Sequence, residues 1–368
     1  LLFLSASLYR FLRGDQHQPL QMIVLRAAVS ALAVGFLWAL ARRAWGPWIA
    51  ALAAWGLALY PEAALLGSSQ MREAFSVTLL PAALLGLQRL KDERSLSNWL
   101  LLLVPVLLAI PLSTPFALLL LGTLLLAAMG LDEWRLLRQR RVWLPLVLIA
   151  LAGALYSAFT VDFSQLWIVQ SAEWQAFVSR NASDWVTRQF ERMPVWTHFP
   201  FLVIYGLFRP LLPSAIVADG PLIWRAVAIW RALGWTLLLA LILYASYMAL
   251  RRGAWLRLPG ALLLANWAVM LVASFRGGGD LWDNPRYRSA FAAVQLGLAA
   301  WAWVQREEQR DPWLRRALVG GVLMIAWFIP WYLRRYTALD WPIVELQHVI
   351  GLGLLSAALY TIWDWAGG

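Results

Sequence analysis

The stretch LQMIVLRAAVSALAVGFLWALA, residues Leu20–Ala41, decides the fold of this chain. Its only charged residue is Arg26, and a helix needs about 20 mostly apolar residues to cross the hydrocarbon core of a bilayer. Val142–Val161 and Leu346–Ala366 have a similar length and apolar character. The sequence therefore predicts a protein whose helices cross a membrane several times, and the polar residues beside those helices carry the functional information.

The composition supports this class of protein. Hydrophobic residues make up 61% of the chain, against about 45–50% in a soluble domain. The 25 tryptophans fit the aromatic belts at the two membrane–water interfaces. The apolar runs are continuous rather than alternating, so helices are the predicted spanning elements. The predicted fold class is all-α, a polytopic membrane protein with about ten or eleven spanning or half-spanning helices and an outer amphipathic cap.

The net charge of +11 comes almost entirely from arginine, since Lys91 is the single lysine among 31 basic residues. Two explanations remain open: a GC-rich genome combined with positive cytoplasmic loops, or recognition of phosphate by guanidinium groups. Nucleic acid is excluded as a partner because no basic soluble domain is predicted. The chain has no cysteine and three widely separated histidines, so no disulfide, metal site or cofactor is predicted.

Clusters of arginine predict how the chain is oriented in the membrane. Five short loops follow apolar stretches and concentrate positive charge, which places them in the cytoplasm. The other loops then lie on the outer, extracytoplasmic side. The basic residues of the five loops are Arg42, Arg43, Arg89, Lys91, Arg94, Arg135, Arg138, Arg140, Arg141, Arg251, Arg252, Arg257, Arg306, Arg310, Arg315 and Arg316.

The whole chain, residues 1–368, is predicted to form a single transmembrane domain. Two of its apolar segments are short, and Pro111 and Pro115 between them predict a helical hairpin whose tip need not emerge from the membrane. The predicted segments are residues 20–41, 46–62, 73–90, 98–111, 115–131, 142–161, 233–250, 258–275, 289–305, 316–333 and 346–365.

Residues 162–231 are predicted to form an extracytoplasmic loop. Ser171–Arg192 places aromatic residues at helical spacing among charges, which predicts an amphipathic helix that either lies on the membrane or caps other helices. Phe199–Val217 is apolar enough to span, but a span there would invert the later arginine clusters, and the segment contains three prolines. It is therefore interpreted as a re-entrant or interfacial segment.

A first polar cluster lies on the outer side before the third apolar segment. Polar groups at a membrane boundary commonly serve a substrate or a partner, so this cluster is predicted to line a polar cavity. A structural alternative remains: Glu73 suits the positive end of a helix dipole, and Ser68 or Ser69 could cap that helix. The residues of the cluster are Glu62, Gln70, Arg72 and Glu73.

The second cluster, RGGGDLWDNPRYRS (residues 276–289), is the most specific stretch of the chain. Its glycines let the backbone approach a ligand, and its arginines stand on the side where positive charge is disfavoured. Ser289 is predicted to open a helix, whose N-terminus would attract an anion. The pattern indicates a phosphate site, with a loop touching lipid headgroups as the alternative. The residues of this site are Arg276, Arg286, Tyr287 and Arg288.

Four elements occur in a fixed order in the first part of the chain: ARRAWG (residues 41–46) at the end of an early span, YPE (60–62), the helix start SSQMRE (68–73) and the Arg/Lys loop that follows it. This order resembles that of the bacterial GT-C membrane glycosyltransferases, close to the protein-mannosyltransferase-like family 39. RYR (286–288) before a late span is similar to the Arg-Tyr element of that family on the extracytoplasmic side.

The resemblance implies an enzyme of the bacterial inner membrane that passes a sugar from a polyprenyl-phosphate carrier to an acceptor hydroxyl on the outer side. Membrane lipids and the polyprenyl-phosphate sugar are the implied partners. The catalytic carboxylate of the family lies in its first external loop, and this chain begins beyond that point. Truncation at the N-terminus is therefore expected, and the family base cannot be assigned. The acids available as weaker candidates are Glu62, Glu73, Asp280 and Asp283.

Two other functions remain compatible with the sequence. The tryptophan content and the missing catalytic segment fit a non-catalytic accessory subunit that packs against other membrane protein subunits. A transporter of lipid-linked sugars is the second alternative, but it needs charged residues at mid-bilayer depth. Most of the predicted spans lack such residues, and the exception, Arg26, is placed near an interface.

Overall fold

The computed structural model describes residues 10–11, 19–69, 71–130, 148, 151, 167–180, 184–217, 220–277, 286–337, 339–343 and 345–367. Every regular element within these ranges is helical, and no strand occurs among them. The predicted all-α polytopic fold class is therefore confirmed. The predicted span Val142–Val161 lies almost wholly outside the described residues.

The described helices follow the apolar segments of the sequence closely. In chain order they are α1 Pro19–Trp45, α2 Pro47–Leu59, α3 Pro61–Gly67, α4 Glu73–Asp92, α5 Leu96–Leu112, α6 Thr114–Gly130, α7 Trp167–Arg180, α8 Asp184–Arg192, α9 Val195–Phe208, α10 Leu212–Val217, α11 Leu222–Arg251, α12 Leu258–Gly277, α13 Arg286–Ser289, α14 Ala292–Gln309, α15 Trp313–Tyr336 and α16 Leu346–Ala366. A short 3₁₀ turn, Ala254–Leu256, precedes α12.

Five of the described helices, α1, α11, α12, α15 and α16, are long and apolar enough to cross a membrane. The bent pair α2 and α3 would add a sixth, with an angle of 57° between its two parts. Helices α5, α6 and α9 are apolar but shorter. Gly46 joins α1 to α2 at a φ of +98°, a conformation that favours glycine because it has no Cβ.

The predicted outer loop differs from its expected form in three places. The stretch Ser171–Arg192, expected to be one amphipathic helix, is divided between two helices, α7 and α8. The apolar segment Phe199–Val217 is divided between α9 and α10, with the break at Arg209 and Pro210. Helix α11 begins at Leu222, well ahead of the predicted start at residue 233. Pro221 directly precedes this start. Proline is favoured at the beginning of a helix, because the N–H group that it lacks would have no partner within the helix there.

Contacts group the chain into two compact units, and the prediction of one single domain stays a prediction. Unit 1 comprises residues 1–207 and 245–301. At its centre α4 packs against α1, α5 and α6, and nearly every residue from Glu73 to Leu90 is buried. A helix that is apolar on all sides has to be surrounded by other helices. The hydroxyl of Thr78 donates to the carbonyl of Val29 at 2.8 Å and ties α4 to α1.

Polar contacts add to the packing of unit 1. The amide of Gln295 donates to Oδ1 of Asn266 at 3.0 Å, and both side chains are fully buried. Hydrogen bonds of this kind between membrane helices contribute about 0.6–2 kcal/mol. The indole of Trp267 donates to the hydroxyl of Ser246 at 2.9 Å. These contacts fix the position of α12, which carries one side of the site described below.

Unit 2 comprises residues 208–244 and 302–368. Its main feature is the hairpin of α15 and α16, with α10 packed against α15. The carboxylate of Asp364 accepts from Nε of Arg316 at 2.8 Å and also pairs with Arg315. Further along the hairpin, the indole of Trp327 donates to the hydroxyl of Ser356 at 3.0 Å.

Asp364→Asn is expected to destabilise the α15–α16 hairpin. Arg316 is 9% exposed, and the loss of its counter-charge leaves a buried cation without compensation, at a cost of about 3 kcal/mol. Thermal unfolding of the purified chain in detergent measures the effect. Asp340→Asn, at an exposed aspartate, is the control, and equal unfolding temperatures for the two variants would contradict this role of Asp364.

Candidate functional site

Segments that are distant in the sequence meet at one end of unit 1. The short helix α13 packs against α3, α4 and α12. A cavity of about 60 Å³ lies where the start of α4, the α5–α6 turn, α12 and α13 come together. Its apolar wall comes from α6 and α12. Its polar lining consists of Arg72, Glu73, Ser76, Ser113, Arg286 and Tyr287, so it unites residues from both predicted polar clusters.

The start of α4 supplies one side of the cavity. Arg72 precedes the helix, and its Nη1 donates to the carbonyl of Leu112 at 3.3 Å, which holds the guanidinium beside the end of α5. Glu73 is the first residue of α4 and is 6% exposed. Within the described part of the chain its carboxylate forms no hydrogen bond and no ion pair. A buried acceptor of this kind, at a cavity lined by two arginines, is suited to accept a hydrogen bond from a ligand.

Helix α13 supplies the opposite side. Nη2 of Arg286 donates to the hydroxyl of Tyr287 at 2.9 Å, and the same guanidinium lies 4.8 Å from the centre of the Tyr287 ring. The guanidinium of Arg286 thus contacts both the ring face and the hydroxyl of Tyr287. Nε of Arg286 is buried and has no hydrogen-bond partner among the described residues. A donor in that state is available to an anionic oxygen.

Positive charge dominates the surroundings of Tyr287. Burial of the phenol raises the pKa of Tyr287, but the hydrogen bond from Arg286 and the charges of Arg286 and Arg276 outweigh burial. The pKa of Tyr287 therefore lies below its ordinary value, because the anionic form is stabilised by neighbouring cations. The same field would stabilise a phosphate placed beside this side chain. Arg276 is thereby brought to the site together with Arg286.

The end of α12, which carries Arg276, is held by two helices of the outer loop. Nε2 of Gln175 on α7 donates to the carbonyl of Phe275 at 2.6 Å. The hydroxyl of Ser274 donates to the carbonyl of Val203 on α9. The sequence reasoning missed Gln175, although its place on a predicted amphipathic helix was a signal. Of the two interpretations of that helix, these contacts favour a cap on other helices.

One expectation for the second cluster is wrong, and the assignment of Arg288 to the phosphate site stays a prediction. Ser289 does not open a long helix: it closes the four-residue helix α13, and the long helix α14 begins at Ala292. The hydroxyl of Ser289 donates to the carbonyl of Arg286 at 2.6 Å, a local bond that competes with helix continuation. The N-terminus predicted at Ser289 is therefore not formed by that residue. Arg288 is 7% exposed and does not line the cavity.

The first cluster is also only partly brought to the site. Glu62 is 2% exposed, lies on α3 and does not line the cavity. Ser68 and Ser69 do not cap α4, because their hydroxyls donate to carbonyls at the end of α3. The predicted residues Gln70, Asp280 and Asp283 lie outside the described residues. Within the described ranges, no three His, Asp or Glu side chains are placed to hold a metal ion.

The sequence of residues 3–157 matches the model of the family described as dolichyl-phosphate-mannose-protein mannosyltransferase. The match confirms the resemblance to the GT-C membrane glycosyltransferases over that part of the chain. It includes Arg72 and Glu73, whereas Arg286 and Tyr287 lie beyond it. No match was found among curated protein sequences.

A similar solved structure is the archaeal oligosaccharyltransferase AglB from Archaeoglobus fulgidus, in complex with an inhibitory peptide and a dolichol-phosphate. The sequence identity is 17%, and the TM-score is 0.43. The alignment covers 98% of this chain and 46% of the oligosaccharyltransferase. This chain therefore spans just under half the length of that protein.

Proposed function

We propose that this chain transfers a sugar from a polyprenyl-phosphate carrier to an acceptor hydroxyl on the extracytoplasmic side of a bacterial inner membrane. The family match over residues 3–157 supports a membrane glycosyltransferase in general. The observation that carries the specific proposal is the cavity in which Arg286 and Tyr287 face Arg72 and Glu73.

The position of the cavity along the helices supports the outer side. Helices α4 and α6 begin beside it and α12 ends beside it. The opposite ends of the same helices lead into the arginine-rich loops that are predicted to be cytoplasmic. Since α4 runs from Glu73 to Asp92, its two ends are about 28 Å apart, close to the thickness of the hydrocarbon core.

The arginines fit the departing phosphate of such a reaction. As the bond between the sugar and the carrier phosphate breaks, negative charge grows on the phosphate oxygens, and fixed cations stabilise it. Arg286 is held by Tyr287, and Arg276 adds its charge at the same phenol. The cavity has room for a small polar group, so the sugar and the prenyl tail of a donor would extend beyond it.

Glu73 is the best placed of the candidate bases among the described residues. It lines the cavity, whereas Glu62 does not. A carboxylate that removes the proton of the acceptor hydroxyl makes the oxygen a better nucleophile at the sugar carbon. In this proposal Glu73 takes that proton while the arginines hold the leaving phosphate.

Glu73→Gln is expected to lower sugar transfer by about 100-fold or more, because the amide cannot accept the acceptor proton. Donor binding should be little changed. Transfer is measured with the full chain in liposomes, with a polyprenyl-phosphate hexose as donor, and binding is followed as retention of polyprenyl phosphate by native mass spectrometry. Glu173→Gln, at an exposed glutamate of α7, is the control.

The outcomes separate the proposals. If Glu73→Gln transfers sugar at the wild-type rate, another group is the base. The role of the arginines in holding the leaving phosphate is then tested separately by the variant Arg286→Gln. If the wild-type chain neither transfers sugar nor retains polyprenyl phosphate, the proposed function is wrong and the accessory-subunit alternative is favoured.

A further inference from the structure

A second and larger cavity lies at the other end of unit 1. Its volume is about 680 Å³, within the range of ligand pockets in proteins. It is formed by the C-terminal ends of α1, α4 and α6, the turn before α12, and one side chain of α14. The cationic residues that line it are Arg43, Lys91, Arg252 and Arg257. These four come from three separate parts of the chain and converge on one concave space.

Cationic side chains outnumber carboxylates among the described residues that line this cavity. Asp92 is the one carboxylate of that described lining, and it pairs with Arg43. The side chain of Arg257 forms no hydrogen bond and no ion pair within the described part of the chain. Surface arginines that only fix membrane orientation need not share a pocket, so this arrangement indicates a bound anion.

A buried polar side chain in the wall supports a ligand. Gln88 lines the cavity and is 5% exposed, and its Oε1 has no hydrogen-bond partner among the described residues. This unpartnered Oε1 is an acceptor and suits a hydroxyl group of a ligand, whereas the N–H₂ group of Gln88 can donate to an anionic oxygen. Trp45 and Trp301 also line the space, and their indoles suit the level of lipid headgroups.

The position along α4 gives the depth of this cavity in the membrane. Glu73 lies at the first cavity and Lys91 at the second, which separates them by about 27 Å along the helix. That distance is close to the thickness of the hydrocarbon core. The second cavity is therefore at the level of the headgroups on the predicted cytoplasmic side, where basic pockets between helices take anionic headgroups.

We propose that this cavity is a binding site for a phosphate-bearing anion at the cytoplasmic face, held by Arg43, Lys91, Arg252 and Arg257 with Gln88 as a neutral donor. The chemistry is that of a phosphate ester or phosphate ion within reach of guanidinium groups. Its source is either the headgroup of an anionic phospholipid or free phosphate. The site is separate from the proposed transfer reaction and does not depend on it.

The test compares the variant Arg252→Gln/Arg257→Gln with Arg251→Gln. Arg251 is adjacent in sequence but does not line the cavity, and its Nη1 donates to the hydroxyl of Tyr247. The full chain is placed in nanodiscs of phosphatidylcholine with or without phosphatidylglycerol or cardiolipin, and retained lipid is counted by native mass spectrometry. In a parallel series, inorganic phosphate is added in phosphatidylcholine alone, and the unfolding temperature is recorded.

The wild type and Arg251→Gln are expected to retain anionic lipid, and the double variant at least tenfold less. This result identifies a lipid headgroup as the source. Stabilisation of the wild type and the control by inorganic phosphate, absent in the double variant, identifies free phosphate instead. Equal behaviour of the double variant and the control in both series would overturn the proposal. Should the double variant not fold, the single variant Arg257→Gln, at an exposed side chain, serves the same comparison.

Discussion

Arg286→Gln is expected to reduce sugar transfer by about 100- to 1,000-fold, the effect of removing one fixed charge or donor from a developing anion. Glutamine keeps much of the side-chain length but supplies no charge. The substitution also removes the contact of the guanidinium with the Tyr287 ring and the hydrogen bond from Nη2 to the Tyr287 hydroxyl. Transfer from a polyprenyl-phosphate hexose by the full chain in liposomes measures the effect, and retention of polyprenyl phosphate is expected to fall in parallel.

Two further variants sharpen this result. Arg335→Gln removes an exposed arginine that lies 5.0 Å from the Trp331 ring in unit 2, and it should transfer sugar at the wild-type rate. Arg288→Gln changes a buried arginine that does not line the cavity, so its main effect should be on the amount of folded protein. Wild-type turnover by well-folded Arg286→Gln would remove Arg286 from the mechanism.

Gly86→Ala is expected to destabilise the chain by about 2 kcal/mol, although alanine is the better helix former. A Cβ at this position would lie 2.5 Å from the backbone nitrogen of Leu102 and 2.8 Å from the carbonyl carbon of Leu101. Both are backbone atoms, so α4 and α5 would have to move apart. Because α4 contributes to both cavities, this displacement would reach both sites.

The matched control for Gly86 is Gly122, in the interior of α6. A Cβ there meets nothing within 4 Å, so Gly122→Ala should stabilise the chain by about 0.5–1 kcal/mol through helix propensity. Thermal unfolding in one detergent therefore gives shifts of opposite sign for the two substitutions. Shifts of the same sign would show that the crossing of α4 and α5 is not as close as the structure indicates.

The site itself was foreseen only in part. Arg72, Glu73, Arg286 and Tyr287 were candidates from their residue types and from their place on the outer side. The sequence did not indicate that the two clusters share one cavity, since Glu73 and Arg286 are more than 200 positions apart. It also did not indicate that Arg288 does not line this cavity. Residues 286–289 form one helical turn, and consecutive side chains of a helix point in different directions.

The sequence by itself determined the helical class, the positions of most spans and the predicted orientation. These properties depend on the length of each apolar run and on the arginines beside it, and both are local. The tertiary structure alone decided which polar residues meet at either end of unit 1. Leu/Ala-rich helices present similar apolar surfaces on every side, so their sequences do not specify neighbours. The choice of neighbours depends on close contacts such as the one at Gly86 and on buried hydrogen bonds such as Gln295 to Asn266.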